Sequence, residues 1–456
     1  MAGPGVKSVL ELAPHDARAI TIGAPFMSTI DPALRVAATT PFAAPGTLAK
    51  ASRLQFYGLR FAAALALIAF SSFCVLWVQW QMATPGVSKL SGDFVSYWTA
   101  GRLALAGHAV DAYHKTPHFL AQAALHGDPD GWGYVAFFYP PFFLLACAGF
   151  ALLGYFPALC LWLATTFTGY ALALRGLLPK SLPERRQAWV LFLGYPAVMV
   201  NAGFGQNGFL STALLGGAAV FLERRPELAG LCLGCLAYKP QLGIIVPLAL
   251  AVAGRWRCFA VASVTVLALA VAATVAFGTD IWPAFVADMA HARHDWMEPA
   301  NPLYLKYLAT VFGAVRLHGG ALTLAYGAQA LVSIAAVALL VRALAMRSRA
   351  ARSGGAEVAA IAACIPFCSP FLLEYDLVIL AVPMAWLLGE SLRDGFRRGE
   401  GIVLVATYLA PALFKVDLID NALQLGVIAA AALLFLAVLR RMADKPAAVQ
   451  AAPAAA

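Results

Sequence analysis

A chain of 456 residues that is 61% hydrophobic and only 12% charged is excluded from the soluble globular class, whose members carry nearer a quarter of charged residues. Its mean hydropathy of +0.76 comes from repeated apolar runs close to the roughly twenty residues that a helix needs to cross about 30 Å of hydrocarbon, and nothing shows the alternation of a membrane barrel. The net charge of +9 does not mark a nucleic-acid binder, because the arginines fall in short clusters between apolar runs, as they do in cytoplasmic membrane loops.

Residues 1–54 are rich in Ala, Pro and Thr and lack the short apolar core and cleavage site of a signal peptide. They read as a disordered cytoplasmic leader, and residues 441–456 as a disordered cytoplasmic tail. Between them, residues 55–440 form an all-α polytopic transmembrane domain. Its apolar runs are 58–80, 137–154, 156–177, 188–203, 206–222, 228–238, 240–254, 258–277, 321–344, 356–372, 375–389, 401–414 and 422–439.

Charge decides which runs span. Lys50, Arg53 and Arg60 hold the N-terminal side of the first helix inside, so residues 81–135 become a first outer loop, with three Lys/Arg against four Asp. If 137–154 does not cross, the clusters Lys180/Arg185/Arg186, Arg224/Arg225, Arg255/Arg257, Arg342/Arg347, Arg393/Arg397/Arg398 and Arg440/Arg441 all become cytoplasmic. The Tyr139-Pro140-Pro141 start of that run suits an interrupted element, since proline removes a backbone donor. Twelve spanning helices are expected, with residues 278–320 as a second outer loop and both termini inside. Cys232 and Cys235 form a CxxC within an apolar run and read as small packing residues.

This topology sends the uncommon polar residues to the outer face, and ionisable groups at membrane depth are functional candidates by default. Asp93, flanked by aromatics, suits either a general base of raised pKa or the N-cap of a following helix. Lys239 lies between apolar runs beside Pro240 and suits a lipid phosphate or a snorkelling role. Gln206 and Asn207 suit sugar hydroxyls or a tight turn. Tyr139 and Gln241 flank the same proline-broken segments. His291, His294 and Asp295 have near-helical spacing and could relay protons or hold a metal, or form a solvated face. Glu374 and Asp376 read as a plain polar turn.

The stretches Asp93-Phe94-Val95-Ser96-Tyr97-Trp98, Ala106-Gly107, Asp111-Ala112-Tyr113, Phe138-Tyr139-Pro140-Pro141, Gly205-Gln206-Asn207 and Ala229-Gly230 through Tyr238-Lys239-Pro240-Gln241 together resemble glycosyltransferase family 87. The resemblance covers residues 55–300, with the last third matching by hydropathy only. It implies a GT-C membrane fold and transfer of a hexose, usually mannose, from a polyprenyl-phosphate donor to an acceptor hydroxyl on the outer face, with inversion. The acceptor class stays open between glycolipid, polysaccharide and protein. Asp93 maps onto the family's catalytic base, with Lys239 beside the leaving phosphate and Tyr139, Gln206, Asn207, Gln241, His291 and His294 as substrate-binding candidates. No Asp-x-Asp pair follows Asp93, so no metal and no cofactor is expected. The setting implied is a bacterial inner membrane with the site facing the periplasm. A transporter or flippase of lipid-linked sugars is the competing class, although it would place polar groups near the midplane with repeat symmetry.

Overall fold

The computed structural model describes residues 45–83, 92–126, 133–299, 302–346, 353–413 and 422–443. The expected leader up to residue 44 and tail beyond 443 lie outside these residues, as do 84–91 and 127–132 of the first outer loop. The chain divides into two compact units, Met1–Phe56 and Tyr57–Ala456. Of the first unit only the backbone of the helix start at 45–56 is described. The second unit holds every other described element.

Among the described residues the structure is helical, with one isolated antiparallel bridge, Leu308 to Leu373. α1 (Pro45–Ala83) is followed by α2 (Phe94–Leu105), α3 (Lys115–His126), α4 (Pro141–Ala151) and α5 (Tyr155–Leu177). Next come α6 (Arg185–Leu193), α7 (Pro196–Phe204), α8 (Gly208–Phe221), α9 (Pro226–Cys235), α10 (Val246–Val252) and α11 (Trp256–Phe277). The last third holds α12 (Ile281–Ala292), α13 (Leu322–Ala345), α14 (Gly354–Cys364), α15 (Ala381–Asp394), α16 (Glu400–Leu413) and α17 (Ala422–Ala443).

Among the described residues, six helical stretches are long and apolar enough to cross a membrane: Gly58–Gln79, Tyr155–Leu177, Trp256–Phe277, Leu322–Ala345, Glu374–Asp394 and Gln424–Ala443. The other apolar runs form shorter or broken helices; all of them except 137–154, read as a non-crossing element, were expected from hydropathy to span. Proline is the physical reason at several of them. It starts new helices at Pro196, Pro226 and Pro240, where its missing N–H and fixed φ suit the first turn but end the helix before it. α4 has 11 residues, a rise of roughly 16 Å, about half a hydrocarbon thickness.

Burial sorts these helices. The 374–394 stretch is 89% buried and runs through the middle of the bundle, whereas Gly58–Gln79 and α11 are 11% buried and offer their surface to lipid. α9 packs closely on α11 because Gly230 and Gly234 leave no side chain between them. A Cβ at Gly230 would stand 2.6 Å from the Cys258 carbonyl oxygen, and one at Gly234 2.6 Å from the Thr265 Cβ. This is the small-xxx-small contact by which membrane helices gain van der Waals packing without a hydrophobic driving force. Cys232 and Cys235 on the same helix are free thiols.

The two ends of the bundle differ in chemistry. At one end Arg255 pairs with Glu357 at 2.8 Å and with Glu223 at 3.0 Å. The buried Arg441 meets Glu400 at 3.3 Å and donates to the Glu390 carbonyl at 2.7 Å. The arginine clusters of α6, α11, α15 and α17 that have described partners gather here, and buried ion pairs tie the helix ends together. α8 ends and α9 begins at this end, and both reach the opposite one, where Gly205–Asn207, Lys239 and Glu374–Asp376 meet the start of α2.

Candidate functional site

Asp93 immediately precedes α2, but its side chain makes no capping bond to that helix. Its backbone holds the corner instead. The Asp93 N–H donates to the Phe204 carbonyl at 3.1 Å, pinning the start of α2 to the end of α7. The carboxylate is left to turn sideways, where Oδ2 accepts from Gln206 Nε2 at 2.6 Å.

Gln206 is placed by a tight connection. Gly205 ends α7 in the left-handed region at φ 65°, a conformation that glycine adopts without a Cβ penalty. Asn201 then clamps the loop from both sides, donating from Nδ2 to the Gln206 carbonyl at 3.0 Å and accepting the Gly208 N–H at 2.8 Å. The Trp162 indole donates to the Gly205 carbonyl at 3.0 Å. The turn and the chemistry are therefore both present: glycine makes the turn and the amides face inward.

From Gln206 a buried polar chain runs into the bundle. Its Oε1 accepts from the Tyr97 hydroxyl at 2.5 Å and from the Asn207 backbone N–H at 3.2 Å. Tyr97 lies 2.8 Å from the Tyr139 hydroxyl and accepts from Asn207 Nδ2 at 2.9 Å. Asn207 Oδ1 accepts from Lys239 Nζ at 3.1 Å, and Lys239 is paired with Asp376 at 2.5 Å. Lys239 is 2% exposed and Asp376 wholly buried, and the ammonium also stands 5.2 Å over the Tyr375 ring. A buried charge is tolerated only when paired and hydrogen-bonded in this way.

This chain backs a cavity of about 450 Å³. Asp93, Gln206, Gln241 and Glu374 line it together with six tyrosines, Tyr97, Tyr134, Tyr139, Tyr304, Tyr307 and Tyr375. Rings with an apolar face and a polar tip, set among carboxylates and amides, match a ligand that alternates C–H faces with hydroxyls. A second cavity of about 630 Å³ adjoins it, lined mostly by apolar residues from α9 to α12 and the segments between them, among them Leu233, Ile244, Phe259 and Phe285, with Phe142 of α4 and Pro370. Gln241 belongs to both walls.

Burial pushes the Asp93 carboxyl up to about 6, with Glu374 adding to the rise and the Gln206 N–H and Lys239 ammonium opposing it. The group is thus poised near neutrality, where a general base combines an available lone pair with useful proton affinity. Beneath α2, burial holds the imidazole of His118 down to about 4. His118 packs against Thr99 and Tyr134 at 2.9 Å and 3.4 Å, fixing α3 under the helix that carries the acid.

Of the residues singled out in sequence, the structure brings together Asp93, Tyr139, Gln206 and Gln241 on the cavity wall, with Asn207 and Lys239 directly behind it. The Lys239 ammonium is engaged by Asp376 and Asn207 and is absent from the cavity lining. His291 and His294 are exposed and line neither cavity; His294 lies 3.7 Å from Asp295. Among the described residues no three His, Cys, Asp or Glu side chains gather as metal ligands. Glu374 and Asp376, expected from sequence to be a plain turn, take part: Glu374 lines the cavity and Asp376 anchors Lys239. Two acids closing an apolar run were the signal, since carboxylates at membrane depth are costly.

The model of glycosyltransferase family 87 matches residues 137–370. No curated protein and no solved structure matches the chain. The matched region holds Tyr139, Gln206, Asn207, Lys239, Gln241 and most of both cavities, and it extends into the last third that hydropathy alone had linked to the family. Asp93 lies before it and is joined to it by the Gln206 hydrogen bond. With more than half of its length matched and its helices built to cross a bilayer, the chain belongs to glycosyltransferase family 87 and is a membrane glycosyltransferase.

Proposed function

We propose that the enzyme transfers a hexose, mannose by resemblance to the family, from a polyprenyl-phosphate donor to an acceptor hydroxyl. The observation that carries this reading is the pairing of two cavities across Gln241. One is aromatic, amide-rich and acidic, suited to sugars, and the other is apolar and suited to a prenyl chain. The donor's phosphate–sugar junction then lies at the Gln241 amide.

Asp93 Oδ1 or Oδ2 takes the proton of the acceptor hydroxyl as its oxygen attacks the anomeric carbon. The bond from that carbon to the phosphate oxygen breaks on the opposite face, inverting the centre and releasing the polyprenyl phosphate as an anion. Among the described residues of the cavity wall there is no Lys or Arg, so hydrogen bonds from Gln241 and the tyrosine hydroxyls stabilise the departing phosphate. Glu374 accepts from sugar hydroxyls. Lys239 acts from behind the wall rather than by contact.

The arginine-rich end of the bundle faces the cytoplasm under the positive-inside rule, which turns the cavity to the outside of a bacterial inner membrane, with twelve crossings. The acceptor is a glycolipid, polysaccharide or protein presented at that face.

The test is transfer of radiolabelled mannose from decaprenyl phosphate by membranes carrying the wild type or Asp93→Asn. Loss of transfer in Asp93→Asn at normal expression supports the reading. Equal transfer removes Asp93 as base, and no transfer by wild type across several donor sugars turns the reading to transport of lipid-linked sugars.

A further inference from the structure

Lys239 is a lysine without access to the cavity, held 2% exposed at the far end of a hydrogen-bond chain that finishes on Asp93. An ammonium has three donors and no acceptor. Asn207 must therefore present its carbonyl oxygen to Lys239, at 3.1 Å. Its NH2 then points the other way, to the Tyr97 hydroxyl at 2.9 Å. Having accepted that bond, Tyr97 directs its single proton to Gln206 Oε1 at 2.5 Å. Gln206 is thereby oriented with its NH2 towards Asp93, 2.6 Å from Oδ2. Each step favours the next, with the Tyr139 hydroxyl at 2.8 Å as the one competing acceptor for the Tyr97 proton.

We propose that Lys239 is a positioning residue that sets the direction of this chain, so that Asp93 is met by an N–H donor and never by the Gln206 carbonyl. The proposal rests on Asp93 being the base. Two weaker contacts support the same orientation of Gln206, the Asn207 backbone N–H at 3.2 Å and the Tyr139 hydroxyl at 3.4 Å, so the ammonium biases the amide strongly without being its only restraint. Asp376 completes the device. It holds the ammonium at 2.5 Å and neutralises it, so the pair delivers orientation with little net charge. With a neutral residue in place of Lys239, the Asn207 NH2 can turn to Asp376, Tyr97 then donates to Asn207, and Gln206 loses its shortest bond.

The charged and titratable groups facing Asp93 are Tyr97 on its own helix, Tyr139 on the segment before α4, Lys239 beyond Asn207, and Glu374 and Tyr375 at the head of the central helix. Removing Lys239 together with its partner Asp376 leaves the net charge of the site unchanged, which separates hydrogen-bond direction from plain electrostatics. The experiment compares wild type with Lys239→Met/Asp376→Asn, with Tyr97→Phe, and with all three changes together. Transfer from decaprenyl-phosphate mannose is followed against pH. In parallel, the pH dependence of Asp93 modification by dicyclohexylcarbodiimide, which attacks protonated carboxyls, is read by mass spectrometry and needs no activity.

Loss of a hydrogen bond to a carboxylate raises its pKa. Both the pair variant and Tyr97→Phe are expected to move the acid limb and the labelling midpoint up by about one pH unit, and the triple variant no further, because changes along one chain are coupled rather than additive. The KM for the donor stays near wild type. An unmoved labelling midpoint in the pair variant, or shifts that add in the triple variant, overturns the proposal. A donor KM that rises while the midpoint stays fixed does so too, in favour of direct phosphate contact. Asp93→Asn that still transfers sugar overturns the base assignment alone, and the labelling midpoints then continue to test the direction of the chain.

Discussion

Asp93 and Gln206 are 113 positions apart in sequence, and their side chains meet at 2.6 Å. One precedes α2 and the other closes the turn between α7 and α8, so the contact joins the segment before α2 to the helix bundle at the point where the chemistry is proposed. A single N–H from a neutral amide to a carboxylate keeps that carboxylate ionised and aimed.

Replacing Gln206 by Leu removes the donor while keeping similar bulk. A hydrogen bond to a charged group is worth ~1.5–3 kcal/mol, so kcat/KM is expected to fall by roughly 10- to 100-fold with thermal stability nearly preserved. Steady-state transfer assays and a melting curve in detergent check the two halves. Full activity in Gln206→Leu would show that the bond is incidental.

The acid limb of the activity profile follows from the Asp93 carboxyl standing at about 6. A base must be ionised, so kcat/KM should fall about tenfold per unit as pH drops below that value. The same shift acts oppositely on stability. Because the folded-state value is raised above the unfolded value of about 3.9, the fold favours the protonated form, and that stabilisation is lost as pH rises through about 6. Asp93→Asn should therefore be inactive yet melt at or above the wild-type temperature at pH 7.5. A lower melting point would mean that the charge itself holds the structure.

Breaking the Lys239–Asp376 pair from one side is a different experiment from removing both partners. Lys239→Met alone strands a carboxylate with no exposed surface, and losing one partner of a buried pair costs ~3–5 kcal/mol. Lys239→Met/Asp376→Leu should recover most of that stability while its acid limb stays displaced upward. Chemical denaturation in detergent distinguishes this from additive losses, under which the double variant would be the least stable of all.

Sidedness is open to direct labelling. Gly133 and Pro183 are both exposed, one on the cavity wall and the other in the link between α5 and α6. In intact cells, Gly133→Cys should react with an impermeant maleimide and Pro183→Cys only after permeabilisation. The reverse pattern would invert the topology.

The polar inventory of the site was largely legible because hydrophobic surroundings make polar residues conspicuous. Asp93, Gln206, Asn207, Lys239 and Gln241 each interrupt an apolar stretch, and the fold collects them. Lys239 was legible as a site residue but its partner was not, because Asp376 lies 137 positions away and a short acidic turn has the same appearance whether it faces solvent or folds inward. His291 and His294 share a helical face, but periodicity does not say which face meets the cavity, and theirs does not. Thirteen apolar runs overstate the number of long helices among the described residues for a related reason. Hydropathy sums over a window and passes through Pro196 and Pro240, where the backbone must restart.

The polar chain from Asp376 to Asp93 also has a consequence for biosynthesis. A ribosome delivers Asp93 to the membrane long before Lys239, and Lys239 long before Asp376, so every partly made chain holds an incomplete string of donors and acceptors. The acid that is proposed to activate the acceptor acquires its fixed surroundings only when the last third of the protein has threaded into the centre of the bundle. Under the proposed function, a chain that ends before Asp376 would hold its base with the hydrogen-bond string unfinished, so the site is completed only by the last third of the protein.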